Sequence, residues 1–136
     1  MLVDGTNSVL GRMATQIAKA LLKGEEVSIV NADKVIITGS PDRIVGEYLK
    51  KKSIGSPQHG PFFPRKPELI VRRTIRGMLP YKTRKGREAF KKLRVYINIP
   101  EELASEAGKA KQPAAKEIKT DYITIGKLAK SLGWNG

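Results

Sequence analysis

Leu2-Val3-Asp4-Gly5, then Leu10-Gly11-Arg12-Met13-Ala14-Thr15-Gln16-Ile17-Ala18-Lys19-Ala20-Leu21, then Val27-Ser28-Ile29-Val30 follow one another at the start of the chain, and their reading decides the fold. Leu2-Val3 is a short strand candidate leading into the turn-forming run Asp4 to Ser8, in which Asn7 or Ser8 can cap a helix. Leu10, Ala14, Ile17, Ala18 and Leu21 fall at i, i+4, i+7, i+8 and i+11, which is one apolar helical face. Arg12, Gln16, Lys19 and Lys23 point elsewhere, and Gly24 stops the helix in the C′ position. Val27 to Val30 reads as a buried strand. A helix between two strands is the crossover that a parallel pair needs, so the opening predicts a βαβ unit.

Outward from this unit, Val35-Ile36-Ile37-Thr38 is a second β-branched run. The gap Asn31 to Lys34 is too short for an ordinary parallel crossover. Either the two runs pair antiparallel, or Ala32-Asp33-Lys34 makes a compressed helical turn. Ser40-Pro41-Asp42 opens a further helix with a capping hydroxyl, proline at N1 and an acid near the positive end of the dipole. Ile44, Val45, Tyr48 and Leu49 supply its buried face, and it runs into Lys50-Lys51-Lys52. Ser53 to Pro67 holds four prolines and two glycines and predicts an irregular loop. An ordered loop of that length is uncommon unless functional. It carries His59, Phe62, Phe63, Arg65 and Lys66.

Glu68 to Leu79 reads as a helix stopped by Pro80. With Val71 at 0° and about 100° per residue, Ile75, Met78 and Leu79 lie within roughly 80° of it. Arg72, Arg76 and Arg73 then fall at roughly 100°, 140° and 200°, on the face turned from the core. Arg84 to Leu93 predicts a second basic helix with Ala89, Phe90 and Leu93 inward. Val95-Tyr96-Ile97-Asn98-Ile99 follows as a strand ended by Pro100. Residues 101–121 read as a helical piece plus a solvated linker. Thr124 caps a last helix of Ile125, Leu128, Ala129 and Leu132, stopped by Gly133, with Trp134 anchoring the tail. The expected organisation is a core at 1–100 with a basic flank at 65–94. Residues 101–136 form a linker and a short helix packed on or near that core.

Composition narrows the function. The chain has 136 residues, 40% hydrophobic and 29% charged, which is globular. No apolar run approaches the roughly 20 residues of a bilayer helix, and Met1 to Gly5 lacks the features of a signal peptide. Cysteine is absent, which excludes disulfides and thiolate metal sites and suits a cytoplasmic location. The single histidine, His59, offers no imidazole cluster. No cofactor and no metal are expected.

The net charge is +13, from 26 basic and 13 acidic residues. Self-repulsion at that charge is relieved by a polyanionic partner. Residues 65–94 hold twelve bases, among them Arg94, and two acids, Glu68 and Glu88, so this stretch supplies +10 of the total. A merely solvated face would intersperse both signs. The pattern is a nearly neutral body with a basic flank, which points to nucleic acid.

Competing motifs fail. The strand-to-helix turn Gly5 to Gly11 matches neither a phosphate-binding Gly-Lys-Ser/Thr loop nor a dinucleotide fingerprint. No nucleophile elbow or zinc-protease helix occurs. Asp33, Asp42 and Glu47 read as turn and cap acids, and nothing asks for catalysis. Thr124 to Gly133 mimics the start of a helix-turn-helix, but the chain ends three residues later without a recognition helix.

Ile75-Arg76-Gly77-Met78-Leu79-Pro80, five residues, Gly86-Arg87, then Leu93-Arg94-Val95-Tyr96-Ile97-Asn98 resembles the signature of the large-subunit ribosomal protein thirteen family. Leu10 to Ala14, and Asn31-Ala32-Asp33-Lys34-Val35 through Thr38-Gly39, are similar to that family's N-terminal half, in the same order. Pro80-Tyr81-Lys82-Thr83-Arg84-Lys85-Gly86-Arg87 resembles its archaeal and eukaryal branch. With no arm before the first strand and no long C-terminal extension, an archaeal type is expected. The resemblance spans residues 1–100 and leaves 101–121 without a matching motif.

It implies an α/β fold: a three-layer α/β/α domain around a small, mainly parallel four-stranded sheet, with basic helices and a C-terminal helical tail. It also implies a non-enzymatic structural and assembly role in the large ribosomal subunit. The expected partners are 23S-type rRNA and neighbouring large-subunit proteins, with no membrane, no small-molecule substrate and no homo-oligomer. The RNA-binding side chains expected from the charge pattern are Arg12, Lys50, Lys51, Lys52, Arg65, Lys66, Arg72, Arg73, Arg76, Lys82, Arg84, Lys85, Arg87, Lys91 and Lys92. Two rivals remain in view: an RNA-modifying enzyme on a nucleotide-binding scaffold, and a sequence-neutral DNA-compacting protein.

Overall fold

β1 (Leu2–Asp4), α1 (Leu10–Leu22) and β2 (Val27–Val30) form the anticipated βαβ unit, with β1 and β2 paired in parallel and Val3 opposite Ile29. A computed structural model describes residues 1–53 (51–53 by backbone alone), 66–104 and 120–134. After a 3₁₀ turn at Ala32–Lys34 come β3 (Ile36–Thr38) and α2 (Pro41–Ser53). The basic pair α3 (Pro67–Gly77) and α4 (Arg84–Lys91) leads into β4 (Leu93–Val95). A second 3₁₀ turn (Glu101–Leu103) precedes β5 (Tyr122–Thr124) and α5 (Ile125–Ser131).

β4 joins the other edge of β2, also in parallel, with Val27 opposite Leu93 and Ile29 opposite Val95. The sheet order is therefore β1-β2-β4. Side chains alternate across a strand, so Val3, Val27, Ile29, Leu93 and Val95 share one face. The mainly parallel α/β architecture holds. The four-stranded expectation resolves into three parallel strands plus a separate antiparallel pair, β3 with β5.

Of the two arrangements open for residues 31–38, the compressed turn is the one adopted. Asn31 takes the left-handed conformation at φ 56° and starts the 3₁₀ turn, and β3 leaves the sheet to pair with Tyr122–Thr124. Sequence reasoning missed β5, since a three-residue strand beside a linker has no periodicity to detect. The corner where β1 and β2 end is tightly tied. Asp4 Oδ1 accepts from Thr6 N at 2.9 Å, Thr6 Oγ1 at 2.7 Å and Asn31 Nδ2 at 3.1 Å. Gly5 is required there: a Cβ would lie 2.6 Å from Val35 Cγ2 and 3.1 Å from the Asn31 carbonyl oxygen. The turn that superficially invited a nucleotide is thus filled by its own carboxylate and a valine.

The five apolar residues expected on α1 are all buried, and Met13 joins them. Neither Asn7 nor Ser8 caps the helix: Val9 stands at the cap without a side-chain bond. Asn7 is left-handed at φ 59°. Ser8 is buried, its hydroxyl donating to the Asp4 carbonyl at 3.3 Å and its own carbonyl accepting from Ile36 N at 2.9 Å. The serine holds the loop to β3 instead. Gly24 ends α1 at φ 95° and Gly133 ends α5 at φ 110°, the conformation that glycine adopts freely.

Other boundaries shift for identifiable reasons. Leu93 is in β4 rather than α4 because it pairs with Val27 of β2, and the strand ends at Val95 opposite Ile29. Tyr96 N still donates to Ile29 O at 2.8 Å, and the Tyr96 carbonyl accepts from Ala32 N at 3.0 Å before the chain turns away. Leu49 is 42% exposed and Met78 42% exposed, although both were assigned to buried faces. Ile70 takes the core position on α3 that sequence geometry had not assigned.

α5 belongs to the same apolar core as the sheet and α1: Ile125, Leu128, Ala129 and Leu132 are buried with Leu10, Met13, Ile17, Ile70 and Ile75. Thr124 caps α5 as expected, accepting from Lys127 N at 3.3 Å. Trp134 packs partly buried on that core.

Candidate nucleic-acid interface

α3 and α4 are short helices whose inner faces are fixed by the body. Ile70, Val71 and Ile75 from the first and Ala89 from the second are buried, with Leu79 from the turn between them and Leu93 from β4. The turn between them is held by its own backbone and by two residues of the quoted signature. Thr83 N donates to Pro80 O at 2.9 Å, and Thr83 Oγ1 donates to the same carbonyl at 2.7 Å. Thr83 Oγ1 also accepts from Gly86 N at 3.1 Å, capping α4. Gly86 is buried against the turn, and a Cβ there would overlap the Pro80 carbonyl and stand 2.9 Å from Tyr81 N. The spacing Pro80 to Gly86 is therefore a steric requirement for seating the first turn of α4.

Two cation–aromatic contacts tie α3 to α4 and to the turn between them. The Arg72 guanidinium lies 4.6 Å from the centre of the Phe90 ring, and Arg76 lies 5.3 Å from that of Tyr81. Tyr81 and Phe90 meet edge to face at 5.6 Å and 86°. Arg72 Nη1 donates to the Leu93 carbonyl at 2.9 Å. Arg72 is half-buried and turns one nitrogen of its fork, Nη1, into the protein. Arg73 is also half-buried, whereas Arg76 is exposed. Sequence spacing could not reveal this stack, because Phe90 is eighteen positions from Arg72 and only the tight turn brings them together.

Lys82, Arg84, Lys85, Arg87 and Lys91 are exposed along the turn and α4. Arg87 Nη1 donates to the Lys82 carbonyl at 3.3 Å, and Arg84 Nε pairs with Glu88 Oε1 at 3.0 Å. That ion pair is solvent-exposed, so little holds the arginine from a competing phosphate. Lys92 is exposed but reaches Gly24 O at 3.3 Å, placing a cation at the C-terminal end of α1.

The remaining candidates are more dispersed. Lys66 is exposed at the N-cap of α3. Arg12 is exposed on α1, a helix that packs against α3 and α4. Thr15 Oγ1, one turn along, donates to Met78 Sδ at 3.6 Å. Lys50 is exposed on α2, a helix that packs on β5. The side chains of Lys51 and Lys52 lie outside the described residues, as do Arg65, His59, Phe62 and Phe63. Among the described residues no group of histidine, aspartate or glutamate is arranged to hold a metal ion, and no helix is long and apolar enough to cross a membrane.

Fold and flank together define a small α/β domain with a basic two-helix face and no catalytic constellation among the described residues. A family model described as Ribosomal protein L13 matches residues 1–102, and the chain belongs to that family. It is 46% identical over 136 residues to Large ribosomal subunit protein uL13 of Methanopyrus kandleri, covering 97% of this chain and 86% of the relative. The protein of that name from Methanocaldococcus jannaschii is 46% identical over 135 residues, covering 96% of each. That from Archaeoglobus fulgidus is 42% identical over 137 residues, covering 98% and 88%. These relatives are archaeal, and their alignments take in the C-terminal tail that the sequence resemblance had left out. The family is one of ribosomal proteins, not of enzymes.

Proposed function

We propose that this chain is a structural constituent of the large ribosomal subunit, in the cytoplasm, that binds 23S-type rRNA through the α3–α4 flank and supports its assembly. The observation that carries this function is the exposed row Lys82, Arg84, Lys85, Arg87 and Lys91, held on a turn whose geometry is set by Thr83, Gly86 and the Arg–aromatic stack. Arginine forks grip phosphate bidentately and lysines act as point charges. RNA shape, 2′-hydroxyls and splayed bases supply specificity, because the deep major groove of an RNA helix is closed to side chains. Arg12, Lys66, Arg76 and the Lys50-Lys51-Lys52 run extend the contact to further RNA segments. Residues 1–100 carry the RNA-binding core, and 101–136 form the tail that completes it. The protein acts as one copy among neighbouring large-subunit proteins, not as a homo-oligomer.

The decisive measurement is sedimentation of tagged native protein through a sucrose gradient after a high-salt wash. Stoichiometric retention on large subunits is the expected outcome. Protein that stays at the top, or trails through all RNA-containing fractions, would overturn the assignment.

A further inference from the structure

A hollow of about 490 Å³ opens at the end of α3, lined by Arg76, Gly77, Leu79, Pro80, Tyr81 and Lys82 among others, none of them acidic. Volumes of this order hold small planar ligands. Tyr81 is 41% exposed even though its ring is held by Arg76 at 5.3 Å and Phe90 at 5.6 Å. An aromatic side chain fixed by its neighbours and still open at the surface is a stacking platform whose ordering cost was met on folding. Gly77 lines the hollow, and a Cβ there would meet nothing within 4 Å, so the fold sets no bar to a side chain at this position.

We infer that this hollow receives one unstacked nucleobase of the bound RNA. Tyr81 and Arg76 provide the stacking surface, and Lys82 faces the adjoining phosphate. Bases splayed from single-stranded RNA stack on aromatic rings and guanidinium planes, and both are present here beside further exposed cations at Arg84 and Arg87. The positive rim favours RNA over an apolar anchor from a neighbouring protein. The assignment rests on the flank binding rRNA and adds to it a point where a base is held.

The test titrates the full chain, Gly77→Leu and Tyr81→Ala against transcribed large-subunit rRNA from 50 to 200 mM salt. Losing one stacked base should weaken binding by roughly 5- to 150-fold in both variants. The slope of log K against log salt should stay unchanged, because neither substitution alters a charge. Base-specific chemical probing of the Gly77→Leu complex should show one nucleotide gaining reactivity. Gly77→Leu that binds like the parent and changes no nucleotide overturns the inference. So does a subunit that loses a neighbouring protein while rRNA affinity is unaltered, since the hollow would then hold a protein side chain. If Tyr81→Ala fails to fold, Gly77→Leu decides alone, since its side chain enters open space. Absence of any rRNA binding by the parent is a separate result, which would instead remove the RNA-binding function itself.

Discussion

Gly86 and Thr83 do at the residue scale what a longer loop would otherwise have to do. The glycine lets α4 start against the Pro80 carbonyl, and the threonine satisfies a first-turn amide of that helix. Gly86→Ala should destabilise the protein by about 1–3 kcal/mol, the usual cost of forcing atoms into a packed site. Thr83→Ala should cost about 0.5–2 kcal/mol as a lost cap. Urea unfolding monitored by circular dichroism reads both, and a Gly86→Ala protein as stable as the parent would contradict the steric account. Both substitutions leave every charge in place. Any accompanying loss of RNA affinity would therefore report on the placement of α4, not on phosphate contacts.

At the scale of the element, α3 and α4 divide their cations between holding and binding. Arg72 is spent on Phe90 and the Leu93 carbonyl, and Lys92 on the C-terminal end of α1. Lys85 and Arg87 project into solvent from a helix whose other side is buried. Arg72→Ala should therefore lower stability by about 1.5–3 kcal/mol, the range for a hydrogen bond to a charged group. Lys85→Ala and Arg87→Ala should leave the unfolding midpoint nearly unchanged. Each should reduce the salt dependence of rRNA binding by roughly 0.7–0.9 in the slope of log K against log salt. Salt-series titrations paired with thermal melts separate the two classes. The opposite pattern, with Arg72 altering the slope and Arg87 the stability, would reverse the division of labour.

Across the whole molecule, one apolar core joins the N-terminal βαβ unit, the basic helices and the C-terminal helix. Leu128 is fully buried in that core. Leu128→Ala should cost about 2–5 kcal/mol, and it should lower a single cooperative transition, not merely fray the tail. A separate early transition confined to the C-terminus would instead show that residues 1–100 fold alone. The flank's charge acts at this scale too. If 6–10 phosphates are neutralised, affinity for rRNA should fall by roughly 10³–10⁵ between 50 and 200 mM salt. Filter binding over that range checks this, and a flat response would rule out the phosphate-contact mechanism.

The sequence by itself determined what depends on neighbours close along the chain. The α1 periodicity, the glycine stops at Gly24 and Gly133, the Thr124 cap and the concentration of charge at 65–94 were all legible. Each rests on spacing or on the conformational range of one residue. The family signature was legible for the same reason, as residue types at set intervals. Only the tertiary structure decided what depends on distant partners. Asn31 and the 3₁₀ turn send β3 away from β2 because a strand 86 positions later is there to meet it, Ile37 opposite Ile123. Ser8 abandons a capping role because β3 offers a backbone amide. Arg72 and Arg76, four positions apart on one helix, face different fates because one meets Phe90 and the Leu93 carbonyl and the other an exposed Tyr81. A helical wheel assigns direction, but whether a cation is consumed inside the protein or left for RNA depends on which side chains the fold brings beside it.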